Sequence, residues 1–270
     1  MSVETEMKNL PKLMAILNVT PDSFYDGGEY NQKKELVERA RCVSEAGADI
    51  LDIGGVSTRP GASEVTEDAE LERVIPALTA LREAGIDTAV SIDTFRGSVA
   101  AAACEHGIAM VNDVTALRAD PELAAVVAEN DLKLVLMHMQ GRPQTMQENP
   151  TYDDVIEEIN AFFGKRIEFA LKQGLSEEQL ILDPGVGFGK RLKHNRRLLA
   201  EVDQFKKFGL PVLVGHSRKS YLGDLLGRPV EERLPGTLAT SARLILKGVD
   251  VLRVHDVKAH KDLLEVWDWL

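Results

Sequence analysis

The sequence predicts a single (β/α)8 barrel, on three observations. Eight short apolar runs alternate with longer amphipathic segments along the 270 residues, polar residues close every one of those runs, and no Gly/Ser-rich linker, low-complexity tract or charge block divides the chain. Strand–helix units in series imply right-handed crossovers and a parallel sheet. Eight of them at this length suit a closed barrel, with a doubly wound open sheet as the alternative. A short N-terminal extension, residues 1–12, precedes a barrel domain over residues 13–270.

The apolar runs, in order, are Leu13–Asn18, Ile50–Ile53, Thr88–Ile92, Met110–Asn112, Lys133–Met137, Leu180–Leu182, Val212–Val214 and Val251–Val254. Each is short and almost continuously apolar, as expected of parallel strands covered on both faces. The intervening segments carry helical spacing. Lys34–Ala46 sets Leu36, Val37, Ala40 and Val43 on one stripe and leaves Lys34, Glu38, Arg39 and Arg41 elsewhere. Glu67–Ala84 and Asp154–Gln173 read the same way, and Gly47, Gly85 and Gly174 stand where helix C-termini favour glycine.

Composition narrows the function classes. Acidic residues outnumber basic ones 43 to 32, a net charge of −11, which argues against nucleic-acid or membrane-surface partners, since both need a basic face. An anionic ligand must therefore be met by a local cluster of basic groups. Cys42 and Cys104 make neither a disulfide framework nor a C-x-x-C metal pattern. No apolar run reaches the length of a membrane span, and residues 1–12 lack the apolar region of a signal peptide. A soluble cytoplasmic protein is expected.

A barrel of this kind builds its site at the C-terminal ends of the strands. Reading only those positions gives Asn18 with the loop Thr20–Gly28, Asp52 with Gly54–Gly61, Asp93 and Thr94, Asn112 and Asp113, His138 and Met139, Asp183 with Pro184–Lys190, Gly215–Ser220, and finally Arg253, His255 and Asp256. Loops are polar in any protein, and Asp and Asn favour turns; that accounts for one or two such positions better than for eight in series. The set divides by chemistry. Arg59, Arg253, His255 and the hydroxyls of Ser57 and Thr58 suit phosphate oxygens. Asp93, Asn112, Asp183 and Lys219 suit the donor and acceptor edge of a flat heterocycle, and burying such groups without a partner is costly. The implied ligand is a polar, guanine-like ring with a phosphate-type group.

Other motifs are weaker. Gly185–Lys190 has glycines and a lysine but fits neither G-x-x-x-x-G-K-[ST] nor G-x-G-x-x-G. Gly215-His216-Ser217 has the start of a nucleophile elbow, but Lys219 stands where its second glycine belongs. The six histidines have neither H-x-x-x-H nor H-E-x-x-H spacing, so no zinc site is expected. His106, His194 and His260 read as helix-surface residues, and His138 as core or site. Phe24 and Phe188 read equally as loop packing or ligand contacts.

Taken together these residues resemble the dihydropteroate synthase family. The motifs are Asn18-Val19-Thr20-Pro21-Asp22-Ser23-Phe24, Asp52-Ile53-Gly54-Gly55 followed by Ser57-Thr58-Arg59-Pro60-Gly61, Ser91-Ile92-Asp93-Thr94 and Asn112-Asp113. Met137–Gly141, Asp183-Pro184-Gly185, Gly187–Lys190, Ser217–Ser220 and Arg253–Asp256 follow in family order, so the likeness covers essentially the whole chain. The resemblance implies condensation of 6-hydroxymethyl-7,8-dihydropterin pyrophosphate with 4-aminobenzoate. It implies that Asp93, Asn112, Asp183 and Lys219 hold the pterin, and that Asn18, Thr58, Arg59, Arg253 and His255 meet the pyrophosphate. Phe24, Pro60, Phe188 and Ser217 frame the aminobenzoate, and Asn18 with Asp26 meets Mg²⁺. Loops 19–30 and 54–66 are expected to close over the site. No side-chain nucleophile is required.

The chain departs from the family at four places: Val56 replaces a usual Glu, Tyr25 a common Ser, Thr115-Ala116 a common Ser-Gly, and His216 a small or apolar residue. Two other functions share the fold: a pterin-dependent methyltransferase, which needs no pyrophosphate grip, and a non-catalytic pterin-binding protein. A homodimer is implied by the resemblance, while Val266-Trp267 and Trp269-Leu270 equally suit a cap on the barrel's own helix layer.

Overall fold

A computed structural model describes residues 10–19, 28–56 and 65–270. Among them are eight strands, β1 (Lys12–Asn18), β2 (Ile50–Gly54), β3 (Ala89–Asp93), β4 (Met110–Asp113), β5 (Lys133–Met137), β6 (Leu180–Asp183), β7 (Leu213–Gly215) and β8 (Val251–Val254). They form one parallel sheet in the order β6-β5-β4-β3-β2-β1-β8-β7. Its two ends, β6 and β7, meet through a bridge between Leu182 and Val212 and a 2.9 Å hydrogen bond from Leu182 N to Pro211 O. The sheet therefore closes into a barrel rather than opening into a doubly wound fold.

The helices are α1 (Gly28–Glu45), α2 (Glu67–Glu83), α3 (Gly97–Cys104), α4 (Leu123–Glu129), α5 (Val155–Lys172), α6 (Leu192–Ala200), α7 (Ser220–Leu226), α8 (Leu234–Leu246) and α9 (Val257–Trp269). Their boundaries have local causes. Thr66 caps α2 by accepting from Ala69 N, and Asp154 caps α5 by accepting from Ile156 N and Glu157 N. Gly47 and Gly174, both at φ +95°, turn the chain out of α1 and α5 into the left-handed region that side chains avoid. α1 starts at Gly28 rather than Lys34: its first turn lies before the apolar stripe, where periodicity is silent.

The alternation of side chains along each strand places the site. Met14, Ile50, Met110, Val135, Ile181, Leu213 and Val251 point into the barrel and form an apolar floor. Residues one position away along the strands, such as Leu13, Leu51, Val111, Leu134, Leu182, Val214 and Leu252, join the larger core under the helices. Each such side chain, fully buried, contributes on the order of 2 kcal/mol. Two residues above the floor the inward positions become polar: Asp52, Asn112, Asp183 and Arg253. The register rows carry this across the sheet, with Asn18 opposite Gly54, Gly54 opposite Asp93, and Asp93 opposite Asn112.

Two expectations about the helices fail. His194 and His260 are buried. Each occupies the barrel-facing stripe of its helix because its ring is satisfied there, His194 Nδ1 by Arg191 N at 3.2 Å and His260 Nδ1 against Asp256 O at 2.8 Å. At the C-terminus Trp267 packs on the core, but Val266, Trp269 and Leu270 stand exposed. Only one of the four apolar residues there caps the helix layer.

Candidate active site

Arg253 organises the barrel mouth. Its Nε donates to Asp52 Oδ2 at 2.6 Å and its Nη2 to Asp93 Oδ2 at 3.0 Å. Asn112 Nδ2 donates to the same Asp52 oxygen at 3.1 Å. Burial pushes the Asp93 carboxyl up to about 7, opposed by Arg253 and reinforced by Asp52, Glu70 and Asp113. Asp52 Oδ1, Asn112 Oδ1 and Ser91 Oγ are buried with no hydrogen-bond partner among the described residues. Orphaned acceptors of this kind cost stability unless a ligand donor or water meets them.

Opposite them, on β6, Asp183 is also buried, and burial raises its pKa against the pull of Lys219 and a 2.7 Å hydrogen bond from Gly185 N. Lys219 precedes α7. Burial draws its ammonium down to about 8, with Asp183 and Asp93 holding it up and Arg253 pressing it down. Its Nζ donates to Val186 O and lies 4.5 Å over the Phe188 ring. Lys219 thus stands between a carboxylate and an aromatic face, where it can donate to a ring substituent and touch a neighbouring aryl group.

A third group joins β7 to β8. Ser217 Oγ lies 2.9 Å from His255 Nδ1 and accepts from His255 N at 3.3 Å. Burial and Arg253 hold the His255 pKa down to about 4, so the ring is neutral at ordinary pH. Beside Arg253 the inward position on β7 is Gly215, where an added Cβ would lie 3.7 Å from Arg253 Cδ. At Gly54 an added Cβ would lie 3.4 Å from Asp93 Cβ and 3.7 Å from Asn18 Oδ1. Both glycines keep open space next to the charged groups.

The expected site residues therefore separate as follows. Asp93, Asn112 and Arg253 share one network, Asp183 and Lys219 face each other electrostatically, Ser217 and His255 are paired, Phe188 lies against Lys219, and Asn18 is half-buried on the Asp93 level. Phe24, Asp26, Ser57, Thr58, Arg59 and Pro60 lie outside the described residues. Asp113, adjacent to Asn112, points the other way and ties the following loop through Thr115 and Leu117.

Two contributors lacked an assigned role in the sequence reading. Asp52 shares the inward alternation of the ring-reading residues, a signal that was available. Lys190 carried no usable signal, because its glycine-rich setting fits no phosphate-loop spacing. Its Nζ is instead buried and bonded to Gly185 O at 2.9 Å, Phe188 O at 3.0 Å and His138 Nδ1 at 3.0 Å. This lysine braces the β6–α6 loop from within. His138 is accordingly a core residue, its pKa lowered by burial and by Lys190.

Fold and site together define a barrel enzyme that reads the edge of a polar ring beside a fixed cationic grip. Residues 14–255 match the pterin binding enzyme family. The dihydropteroate synthase of Synechocystis is 46% identical over 259 residues, 96% of this chain and 89% of that one. Among solved structures, Yersinia pestis dihydropteroate synthase in a sulfonamide drug complex superposes with a TM-score of 0.89 at 43% identity, covering 95% of this chain and 93% of that one. The Xanthomonas albilineans enzyme with 4-aminobenzoic acid gives a TM-score of 0.90 at 43% identity, covering 97% and 93%. This chain belongs to the pterin-binding enzyme family, among the dihydropteroate synthases.

Proposed function

We propose that this chain joins 6-hydroxymethyl-7,8-dihydropterin pyrophosphate to 4-aminobenzoate, giving 7,8-dihydropteroate and pyrophosphate. The observation that carries this reading is the Arg253 guanidinium held beside an acceptor-rich edge made by Asp93, Asn112 and Asp183. Asp183 and Asp93 accept from the amino and ring N–H groups of the pterin, Asn112 supplies a paired donor and acceptor, and Lys219 donates to the ring's carbonyl edge. Arg253, joined by Thr58 and Arg59 from the second loop, meets the leaving pyrophosphate. Neutral His255 adds an uncharged N–H.

The substitution is dissociative. The C–O bond to pyrophosphate breaks with its electron pair leaving on oxygen, and the electron-rich dihydropterin carries the positive charge at its exocyclic methylene. The arylamine nitrogen then adds to that carbon and loses a proton. The chain's residues position the two partners and exclude water, so no nucleophilic side chain is needed. Phe24, Pro60, Phe188 and Ser217 frame the arylamine. The Yersinia enzyme binds a sulfonamide drug, and we extend that susceptibility to this chain as competition at the arylamine end.

Mg²⁺ fits the donor chemistry at the pyrophosphate end. Asn18 offers a hard amide oxygen next to the space kept by Gly54, and among the described residues no trio of His, Cys, Asp or Glu forms an all-protein cage. That sparse set suits an ion held chiefly by substrate oxygens and water. Asn18, with Asp26 from the first loop, would hold it, and the ion would supply positive charge against the departing pyrophosphate. A cytoplasmic homodimer completes the reading. Among the described residues no helix is long and apolar enough to cross a membrane, and exposed Leu225, Leu226 and Leu246 on α7 and α8 offer apolar surface to a second copy.

The test is pyrophosphate release and dihydropteroate formation with Mg²⁺, with and without 4-aminobenzoate. Aminobenzoate-dependent product is the expected result. Pterin binding with neither release nor product would overturn it.

A further inference from the structure

Behind the pair Ser217 and His255 lies a second set of polar groups that the proposed reaction does not use. His216, Ser241 and His260 are all fully buried, on the end of β7, on α8 and on α9. His216 Nε2 lies 2.7 Å from Ser241 Oγ, and Ser241 Oγ lies 3.0 Å from His260 Nε2. His260 Nδ1 lies 2.8 Å from Asp256 O. Two imidazoles sharing one hydroxyl inside an apolar helix layer are expensive to bury unless every proton has a place.

The geometry fixes those places. A backbone carbonyl only accepts, so His260 Nδ1 carries a hydrogen toward Asp256 O. Burial lowers the His260 pKa, so the ring is neutral and its Nε2 is a bare acceptor. Ser241 must then donate to His260 Nε2, which leaves its oxygen to accept from His216 Nε2–H. The competing arrangement has Ser241 donating to Thr237 O, also at 3.0 Å. It would require His260 to hold both hydrogens as a fully buried cation, which desolvation opposes more strongly than the nearby Asp256 carboxylate favours it. His216 Nδ1, 3.4 Å from Val214 O, is left without a good bond. The result is a single-direction chain, His216 to Ser241 to His260 to the Asp256 carbonyl.

Its two ends are the two loops that meet in the site. His216 immediately precedes Ser217, and Asp256 immediately follows His255. The same loops are tied a second time, where Arg218 pairs with Asp256 through Nε to Oδ2 at 2.8 Å and Nη2 to Oδ1 at 2.6 Å. Arg218 holds φ at +55°, an unfavourable conformation for a side-chain-bearing residue, with its N bonded to Thr237 Oγ1 at 3.1 Å. A turn under that constraint needs support, and His216, two residues before Arg218, is anchored through its ring to Ser241 on α8.

We propose that His216, Ser241 and His260 are positioning residues that set the Ser217–His255 pair through this ordered hydrogen-bond chain, and so govern capture of the arylamine at the β7–β8 end without affecting pterin recognition on β3, β4 and β6. The inference rests on the synthase reading above, and the experiment separates the two. Ring ¹⁵N NMR of the substrate-free protein reads the tautomers directly: His260 should hold its hydrogen on Nδ1 and His216 on Nε2. Ser241→Ala and His216→Phe should move the His255 ring signals, although neither substitution touches His255. In turnover they should raise KM for 4-aminobenzoate about ten-fold, the effect of losing one well-placed hydrogen bond, while affinity for the pterin ring, measured with a pterin lacking the pyrophosphate, stays within about two-fold. His216→Gln, whose amide N–H can reach Ser241 as Nε2 does, should restore both readouts. The opposite tautomers in wild type, an unmoved His255, or a parallel loss of pterin affinity and arylamine KM would overturn the proposal. If wild type makes no dihydropteroate, the synthase reading falls instead, and the tautomers and the His255 shift still decide the chain of hydrogen bonds.

Discussion

Arg253 and Asp52 form an ion pair, fully buried at Asp52 and partly at Arg253, that crosses β1 and joins β8 to β2, with Nε donating to Oδ2 at 2.6 Å. The same Asp52 oxygen holds Asn112, and the far end of the guanidinium holds Asp93. One carboxylate beneath the site therefore aims both the anion grip and part of the ring-reading edge. Asp52→Asn keeps the shape and removes the charge. Breaking a buried pair commonly costs about 3–5 kcal/mol, but Asp93 still faces Arg253, so a loss of roughly 2 kcal/mol in unfolding free energy is expected. Pyrophosphate affinity should fall about ten-fold or more, because the guanidinium loses its fixed direction. Thermal unfolding and calorimetric titration check both; unchanged pyrophosphate binding would mean Asp93 alone aims Arg253.

Asp183 and Lys219 make a second testable pair. Asp183→Ala removes the ring's acceptor and the negative charge that holds the Lys219 ammonium up. Pterin binding should become undetectable by calorimetry, and the Lys219 pKa should fall further from about 8. Near-wild-type pterin affinity would remove Asp183 from the ring-binding set.

The pH profile follows from two opposed shifts. Ring recognition needs Asp93 ionised, and its pKa is raised to about 7, so kcat/KM should fall below that value. It also needs Lys219 protonated, and its pKa is lowered to about 8, so kcat/KM should fall again above that value. The stability signs differ. Asp93, raised from 3.8, binds its proton more tightly folded than unfolded, so its contribution declines as pH rises from about 4 to 7. Lys219, lowered from 10.5, loses its proton more readily when folded, so its contribution improves from about 8 to 10.5. A narrow bell in kcat/KM between those limbs is the expected profile, and a flat profile from pH 6 to 9 would contradict it.

Much of this was legible in the sequence because a barrel turns strand alternation into radial position. Once Met14, Ile50, Met110 and Ile181 are inward, Ile16, Asp52, Asn112 and Asp183 must be too, and the polar ones mark the mouth. Asp52 escaped a role because nothing in one sequence says that a carboxylate one layer down will meet an arginine 201 positions away. Lys190 was obscured for the opposite reason, since a glycine-rich loop ending in lysine has the composition of an anion site whether the lysine points out or in. The buried His194 and His260 were misplaced because a histidine on an apolar stripe is read as polar, whereas a neutral ring packs like an aromatic once its nitrogens are met, at Nδ1 in His194 and at both nitrogens in His260. The residues of the first and second loops that resemblance assigns to the arylamine and pyrophosphate lie outside the described structure, and their roles rest on the proposed function.

The β6–α6 loop gives the last prediction. An added Cβ at Gly185 would stand 2.0 Å from His138 O, and its φ is +67°, so Gly185→Ala meets both a backbone clash and a strained dihedral. Lys190→Met meets neither; it keeps length and volume but removes the donor to Gly185 O, Phe188 O and His138 Nδ1. Leaving buried carbonyls unpaired costs about 1–3 kcal/mol each before relaxation, so a lower Tm is expected from both variants. The informative difference is in binding. Phe188 O is one of the lysine's partners, and the Phe188 ring lies 4.5 Å from Lys219 Nζ, so Lys190→Met should loosen that ring and raise KM for 4-aminobenzoate. Pterin affinity should change less, because Asp93 and Asn112 sit on β3 and β4, away from this loop, and the hydrogen bond that Asp183 accepts from Gly185 N does not involve Lys190. Steady-state kinetics in both substrates, with pterin binding measured separately, distinguishes this from a general collapse of the mouth, in which the two affinities would fall together.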